Sequence, residues 1–167
     1  MKIFVFERVG DFLGILFALL FFLYKVCFLR IRIMMALFDP RAGRYSLLIT
    51  DDDDACRDSL RDVFETKGYT THLASCGREA VKIARCVEVH LMILDVHLPD
   101  YSGLETFKII RNEISIPIPG IFISGEITKE LQIDLISANA YTLIPKPINV
   151  NILQDSVEQV IAKYYWK

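Results

Sequence analysis

Apolar and polar residues alternate along residues 46–167 in a way that is typical of strands interspersed with helices. Short apolar stretches predict five strands, over 46–50, 70–75, 90–95, 120–124 and 141–144. Apolar residues at helical spacing predict five helices, over 54–66, 78–87, 104–112, 128–138 and 150–164. The alternation predicts an α/β fold, namely a five-stranded doubly wound parallel sheet with right-handed crossovers and helices on both faces.

The third predicted strand differs from the second in its pattern. HLMILD at 90–95 is a nearly continuous apolar run, whereas TTHLAS at 70–75 alternates. A continuous run is typical of a central parallel strand that is covered on both faces. In doubly wound sheets the functional site lies beyond the carboxyl ends of the strands. The residues that follow the strands are therefore the candidates for chemistry.

Polar residues stand at the ends of four predicted strands. Asp51 and Asp52 follow the first strand, and Asp95 ends the third. Ser124 ends the fourth strand, and Lys146 lies just beyond the fifth. We expect three carboxylates, a hydroxyl and an ammonium group to converge in one crevice. Clustered carboxylates are tolerated around a hard divalent cation, and Mg²⁺ prefers oxygen ligands while keeping several waters, so Mg²⁺ is the expected cofactor.

The first strand runs into four consecutive aspartates in the stretch LLITDDDD, residues 47–54. The strand carries Asp51 and Asp52 to the expected metal site. Asp53 and Asp54 are expected to serve the start of the following helix, because aspartate caps helices and negative charge is favoured there.

Four stretches, LLITDDDD, LMILDVHLPDYSGLE, GIFISGE and IPKPI, resemble the receiver domain of two-component response regulators. The resemblance runs from about Ser46 to Lys163, in order and with each stretch at a strand end. It implies a flavodoxin-like receiver fold and identifies residues 46–167 as the receiver domain. It also implies a phosphoacceptor rather than an enzyme, one that at most catalyses its own phosphorylation and dephosphorylation.

The resemblance implies a set of magnesium ligands around the phosphoacceptor. Asp95 is then the residue that accepts the phosphoryl group. Asp52 would hold Mg²⁺ directly and Asp51 through a water molecule. Asp95 itself and the backbone carbonyl of His97 would complete the ligands that the protein supplies. The His97 side chain is read as an exposed loop group that tunes dephosphorylation.

The resemblance also implies two residues that contact the phosphoryl group. Ser124 would bond a phosphoryl oxygen, and Lys146 would pair with the phosphoaspartate. Gly125 would leave room for the phosphoryl group. The bond between Lys146 and Pro147 is expected to be cis.

Partners follow from the resemblance as well. The donor would be a phosphohistidine on a sensor histidine kinase or on a histidine phosphotransfer protein. The chain would then act as a single-domain response regulator, signalling to an unidentified effector through the surface of its fourth helix, fifth strand and fifth helix. In the family an aromatic residue often lies three positions before the lysine, but here that residue is Leu143 and the nearest aromatic is Tyr141. This departure, and Pro145 immediately before the lysine, leave the output step open.

Two other functions compete with this interpretation. A phosphatase of the haloacid-dehalogenase type also uses a strand-end aspartate, Mg²⁺, a hydroxyl and a lysine. That family has a second aspartate two residues after the nucleophile, where this chain has His97, and the chain lacks room for a cap domain. The other competitor is a phospho-independent interaction module, which the complete set of acceptor residues argues against.

The first 45 residues have a separate character. Residues 12–29 form the apolar stretch FLGILFALLFFLYKVCFL, the most apolar part of a chain that is 53% hydrophobic. As an apolar helix it would be a transmembrane anchor, and basic residues after it would place the receiver domain in the cytoplasm, tethered to the inner membrane. Its uncharged part, 12–24, is short for a bilayer, which needs roughly 20 residues. The alternative is a start at Met34 or Met35, with the preceding segment an extension of the gene model.

Charge and cysteine content exclude further classes. Residues 46–167 carry twelve Lys and Arg against eighteen Asp and Glu, and this acidic balance argues against a nucleic-acid partner, because phosphate contacts require clustered cations. The four cysteines show neither CxxC spacing nor metal-ligand spacing with histidine, so they are read as small buried residues in a reducing compartment.

Overall fold

The computed structural model describes residues 45–114 and 117–166. The predicted N-terminal helix, and with it the membrane segment 12–29, lies outside these residues. Within them, no helix is both long enough and apolar enough to cross a bilayer. The membrane anchor and the later start both stay predictions, which intact-mass measurement and membrane fractionation would separate.

Five parallel strands form one sheet, as the alternating pattern predicts. The strands are β1 (Ser46–Thr50), β2 (Thr70–Ala74), β3 (Leu91–Asp95), β4 (Gly120–Ser124) and β5 (Thr142–Pro145). Their spatial order is β2-β1-β3-β4-β5. The order reverses between β1 and β3, and the carboxyl ends of strands at such a switch point form the ligand crevice of this architecture.

Five helices connect or follow the strands, as predicted. They are α1 (Asp54–Thr66), α2 (Gly77–Cys86), α3 (Gly103–Glu113), α4 (Lys129–Ser137) and α5 (Val150–Tyr165). Asp53 caps α1 by accepting hydrogen bonds from the amides of Ala55 and Cys56, which confirms its predicted role. Ser102 and Glu105 form a capping box that starts α3 immediately after the loop that follows Asp95.

Two hydrophobic cores cover the faces of the sheet. One core packs α1 and α5 against residues that include Leu47, Ile49 and Ile93. The other packs α2, α3 and α4 against residues that include Leu48 and Leu94. Successive residues of a strand point to opposite faces, so β1 and β3 contribute to both cores and are fully buried. This burial holds the carboxyl ends of β1 and β3 side by side.

Candidate functional site

Asp51 lies directly beyond β1 with its side chain only 2% exposed. One carboxylate oxygen, Oδ1, accepts a hydrogen bond from the amide of Asp53 at 3.0 Å. The other, Oδ2, accepts from Nζ of Lys146 at 2.9 Å. Because a buried carboxylate is costly without partners, these two contacts account for its position.

Asp95 ends β3, the neighbour of β1, with its side chain 5% exposed. Its Oδ1 accepts a hydrogen bond from the amide of His97 at 2.9 Å, and its Oδ2 accepts from Nζ of Lys146. The same ammonium group therefore bridges Asp51 and Asp95. The carboxylate of Asp95 is held on one side by its own loop and on the other by the end of β5.

The carboxylates of Asp51, Asp52 and Asp95 form a candidate metal site. One oxygen from each lies within 4.8 Å of the others. Two ligands on opposite sides of one Mg²⁺ are about 4.2 Å apart, since each Mg–O distance is about 2.1 Å, so small side-chain movements suffice to close the site. Asp52 is exposed, and its carboxylate makes no hydrogen bond within the described residues. An all-oxygen site with one free carboxylate fits Mg²⁺.

Lys146 follows β5 with its side chain 30% exposed. Burial opposes its positive charge, but hydrogen bonds from Nζ to Asp95 and Asp51 outweigh this effect and raise the pKa of Lys146 above its ordinary value. The Lys146–Pro147 bond is cis, as expected. The amide of Lys146 donates to the carbonyl of Ser124 at 2.8 Å, which joins the ends of β4 and β5.

Ser124 is fully buried at the end of β4. Its hydroxyl donates to the carbonyl of Glu126 at 2.5 Å and accepts from the Glu126 amide at 3.2 Å. Within the described residues this hydroxyl makes no hydrogen bond to the acidic cluster. It lies at the expected edge of the sheet, but its contacts are with its own loop.

His97 lies two residues after Asp95 with an exposed side chain. Its amide holds Oδ1 of Asp95. The predicted role of its carbonyl as a metal ligand stays a prediction.

Two residues at the site were missed by sequence reasoning. The guanidinium of Arg57 donates to the backbone carbonyl of Asp51 and pairs with the carboxylate of Asp54. A positive charge therefore lies in contact with the run of aspartates. Burial, a hydrogen bond to Asp51 and the nearby acidic charge together raise the pKa of the Cys56 thiol to about 12. Both residues lie on the first turn of α1. They follow Asp53 by three and four residues, a spacing that places side chains on the same face of a helix, and this spacing was the sequence signal that could have identified them.

Leu143, in β5, and Tyr141, immediately before β5, pack against different cores. Leu143 packs against the core that lies between the sheet and helices α2, α3 and α4. Tyr141 packs against the opposite core, and its hydroxyl donates to the side-chain oxygen of Gln159 at 3.4 Å. Tyr141 is thus on the α5 side and does not take the place of Leu143.

The arrangement can support nucleophilic chemistry at a carboxylate. Asp95 offers an anionic oxygen next to a fixed ammonium group and an all-oxygen cation site. Such a combination stabilises charge on an incoming anionic group, above all a phosphoryl group with its equatorial oxygens.

Comparison with known proteins agrees with this chemistry. The family model described as the response regulator receiver domain matches residues 47–158. The response regulator RR06 of Streptococcus pneumoniae serotype 2 (strain D39) is 27% identical over 120 residues, which cover 72% of this chain and 54% of that protein. The chain thus spans about half the length of this curated relative.

Solved structures with the same fold include receiver domains. The CheY-like receiver domain protein of Methanospirillum hungatei JF-1 matches with a TM-score of 0.68 and 25% identity, covering 71% of this chain and 94% of that one. Chemotaxis protein CheY4 of Vibrio cholerae matches with a TM-score of 0.66 and 25% identity, covering 70% of this chain and 98% of that one.

Proposed function

Since the chain belongs to the response regulator receiver family, we propose that it accepts a phosphoryl group on Asp95 from a phosphohistidine donor, with Mg²⁺ as cofactor. The observation that carries the proposal is the contact of one ammonium group, that of Lys146, with the carboxylates of Asp51 and Asp95. Carboxylates from two strands are thereby gathered beside a cation, which is the arrangement that phosphoryl transfer to a carboxylate requires.

In the proposed reaction a carboxylate oxygen of Asp95 attacks the phosphorus atom. The bond between phosphorus and the donor's imidazole nitrogen breaks, and its electron pair stays on the imidazole. The product is an acyl phosphate on Asp95. Lys146 offsets the negative charge of the phosphoryl oxygens, and Asp51, Asp52, Asp95 and the His97 carbonyl would hold Mg²⁺. When bound, Mg²⁺ supplies further charge neutralisation.

Ser124 would transmit the change to the surface. To bond a phosphoryl oxygen, its hydroxyl must leave the carbonyl of Glu126, to which it donates. The loop between β4 and α4 is then free to adopt a second position, and the surface of α4, β5 and α5 changes with it. Phosphorylation would act by shifting the populations of two conformations.

The partners follow from the family. Response regulators receive phosphoryl groups from sensor kinases, and we propose such a kinase, or a histidine phosphotransfer protein, as the donor here. The effector is a protein that distinguishes the two states of the α4, β5 and α5 surface. An acidic receiver body makes a direct nucleic-acid partner unfavourable.

The proposal is tested with a small phosphodonor. Wild-type protein incubated with acetyl phosphate and Mg²⁺ should gain the mass of one phosphoryl group, located on Asp95 by peptide mapping. Asp95→Asn should gain none, because an amide is not a nucleophile for this transfer. Asp62→Asn, with the same charge change at an exposed position of α1, should label like wild type. Mg²⁺-dependent labelling of Asp95→Asn at another residue would contradict the assignment.

Wild type, Asp95→Asn and a further variant, Asp95→Ala, separate the competing functions. Sustained turnover of a phosphomonoester by wild type, lost in Asp95→Asn, would favour the phosphatase hypothesis. If a binding partner retains full affinity for Asp95→Ala and does not distinguish labelled from unlabelled wild type, the interaction-module hypothesis is favoured.

A further inference from the structure

Helix α2 begins without a cap of its own. Cys76 occupies the capping position in extended conformation, and its side chain makes no capping hydrogen bond to the described helix. The cap comes instead from Asp100, in the loop that follows Asp95. Its Oδ1 accepts from the amide of Gly77 at 2.8 Å and its Oδ2 from the amide of Arg78 at 2.9 Å. One carboxylate therefore occupies two of the amides that a helix start leaves unpaired.

The charge of Asp100 strengthens this contact. The carboxylate lies at the positive end of the α2 dipole, 3.8 Å from the guanidinium of Arg78, with its side chain 15% exposed. Burial opposes its charge, but hydrogen bonds from the backbone of Arg78, Tyr101 and Gly77 outweigh burial and lower the pKa of Asp100. The contact is thus a charged hydrogen-bond pair that persists through the neutral pH range.

The loop of residues 96–102, here called the acceptor loop, is fixed at both of its ends. At its start, the amide of His97 holds Oδ1 of Asp95. At its far end, the amide of Gly103 donates to the carbonyl of Val96 at 3.0 Å. Asp100 lies between these ends, and its carboxylate accepts the hydrogen bonds that join the loop to helix α2.

Close packing supports the same connection. A Cβ atom at Gly77 would lie 2.9 Å from Cβ of Tyr101 and 2.3 Å from Oγ1 of Thr106. The start of α2 therefore presses directly on the acceptor loop and on α3. Only a glycine at position 77 permits this approach without movement of the neighbours.

We propose that Asp100 is a positioning residue for the phosphoacceptor: by joining the acceptor loop to the start of α2, it holds the His97 amide where that amide orients the Asp95 carboxylate. The inference rests on the proposed function of Asp95 and adds a residue to it. Asp100 does not touch the reacting atoms. It acts through the backbone between Asp100 and His97.

Loss of this bond should slow phosphorylation. Without it the acceptor loop gains freedom, and the Asp95 carboxylate spends less time in the orientation for attack. Misplacement of a reacting group by about 1 Å can lower a rate by roughly 100-fold, so a loosened loop is expected to cost about 10-fold. The loss should appear in the labelling rate at saturating acetyl phosphate, because the proposed role of Asp100 is to position the acceptor and not to bind the donor.

The experiment compares Asp100→Ala with Asp155→Ala. Asp155 is an exposed acid on α5, so the control carries the same change of charge and size. The expected result is a labelling rate about 10-fold lower in Asp100→Ala and unchanged in Asp155→Ala. Equal rates in Asp100→Ala and wild type would overturn the proposal.

A second variant separates positioning from helix capping. Cys76→Ser gives α2 a cap of its own without joining it to the acceptor loop. In the double variant with Asp100→Ala, stability against urea should recover while the labelling rate stays low. If the rate recovers together with stability, Asp100 is merely a cap for α2 and the proposal fails.

Hydrogen exchange of the His97 amide decides the inference independently of labelling. This amide should exchange faster in Asp100→Ala than in wild type and Asp155→Ala, and should stay fast in the double variant. Wild type that fails to label would refute the proposed function, while this exchange measurement still tests the role of Asp100. An unchanged exchange rate in Asp100→Ala would refute that role.

Discussion

Single residues of the acidic run 51–54 have four distinct environments. Asp51 is buried against Lys146, and Asp52 is exposed without a hydrogen-bond partner among the described residues. Asp53 caps α1, and Asp54 pairs with Arg57. Three of the four charges therefore have a nearby donor or cation. These contacts offset the repulsion among the four carboxylates. Asp52 is the one without such a contact among the described residues, so its carboxylate is available to bind a metal ion.

Asp52 yields a prediction about magnesium. An ion that binds only the folded chain stabilises it, by about 1.4 kcal/mol at 10 mM Mg²⁺ for a Kd on the order of 1 mM. This stabilisation should appear in urea unfolding of wild type and vanish in Asp52→Ala. Asp62→Ala, on the exposed face of α1, should keep it. Equal stabilisation of Asp52→Ala and wild type would remove Asp52 from the metal site.

Tyr165 yields a prediction about alkaline pH. Its hydroxyl donates to the carbonyl of His90 at 2.7 Å, and burial, with the charge of Glu88, raises the pKa of Tyr165 to about 12. The unfolded chain loses this proton near pH 10, so between pH 10 and 12 the folded state binds more protons and stability falls as pH rises.

Tyr165→Phe should therefore change stability in two ways. At pH 7 it should lower the free energy of unfolding by about 1 kcal/mol through the lost hydrogen bond. Between pH 10 and 12 its stability should fall less steeply than that of wild type. Tyr164→Phe, at the exposed neighbouring position, serves as the control in urea titrations. Parallel pH profiles for Tyr165→Phe and wild type would contradict the buried-phenol explanation.

Residue roles could be predicted where they follow from position at a strand end or helix start. The capping of α1 by Asp53 is one example, and the approach of Lys146 to Asp51 and Asp95 is another. The bond from Asp100 to Gly77 could not be predicted, since it joins residues 23 apart in different loops. Loop-to-loop contacts of this kind leave no periodic signal in the sequence.

At the scale of elements, the predicted and observed bounds of the strands and helices of residues 46–165 agree to within one residue at every end. Strands β1 and β4 begin and end as predicted, because polar residues or prolines flank both apolar runs. Burial was harder to predict. Helix α4 carries Ile133 and Ile136 with 62% and 74% of their surfaces exposed, although both are apolar. Which apolar residues face the sheet depends on packing that a short, weakly amphipathic helix does not encode.

The junction between the acceptor loop and α3 yields a prediction at this scale. A Cβ atom at Gly103 would lie 2.0 Å from the carbonyl oxygen of Asp95, so Gly103→Ala must displace backbone. We expect a loss of at least about 2 kcal/mol in the free energy of unfolding. Gly125→Ala is the control, because nothing lies within 4 Å of its added methyl group.

Urea unfolding of both variants checks this prediction. Gly125→Ala should fall between no change and a gain of about 1 kcal/mol, since alanine restricts the unfolded chain. Similar stabilities for the two variants would mean that the backbone at Gly103 adjusts freely. The close approach to Asp95 would then not constrain that position.

At the scale of the whole sheet, two cores lie on its opposite faces. The local stability of its strands should decrease from the centre of the sheet to its edges. Strands β1 and β3 are buried and paired on both sides, whereas β5 pairs only with β4 and is partly exposed. Strand β4 is likewise buried and paired on both sides, so amide hydrogen exchange should be slowest in β1, β3 and β4 and faster in the edge strands β2 and β5. Protection of β5 equal to that of β3 would contradict this gradient.

The capping of α2 by Asp100 also affects when this helix can fold during synthesis on the ribosome. Gly77 leaves the exit tunnel 23 residues ahead of the aspartate that completes its helix. At roughly 5–20 residues per second, translation keeps the two apart for about one to five seconds. A ten-residue helix is marginal on its own, so α2 should become stable only after the segment containing Asp95 and Asp100 has been synthesised.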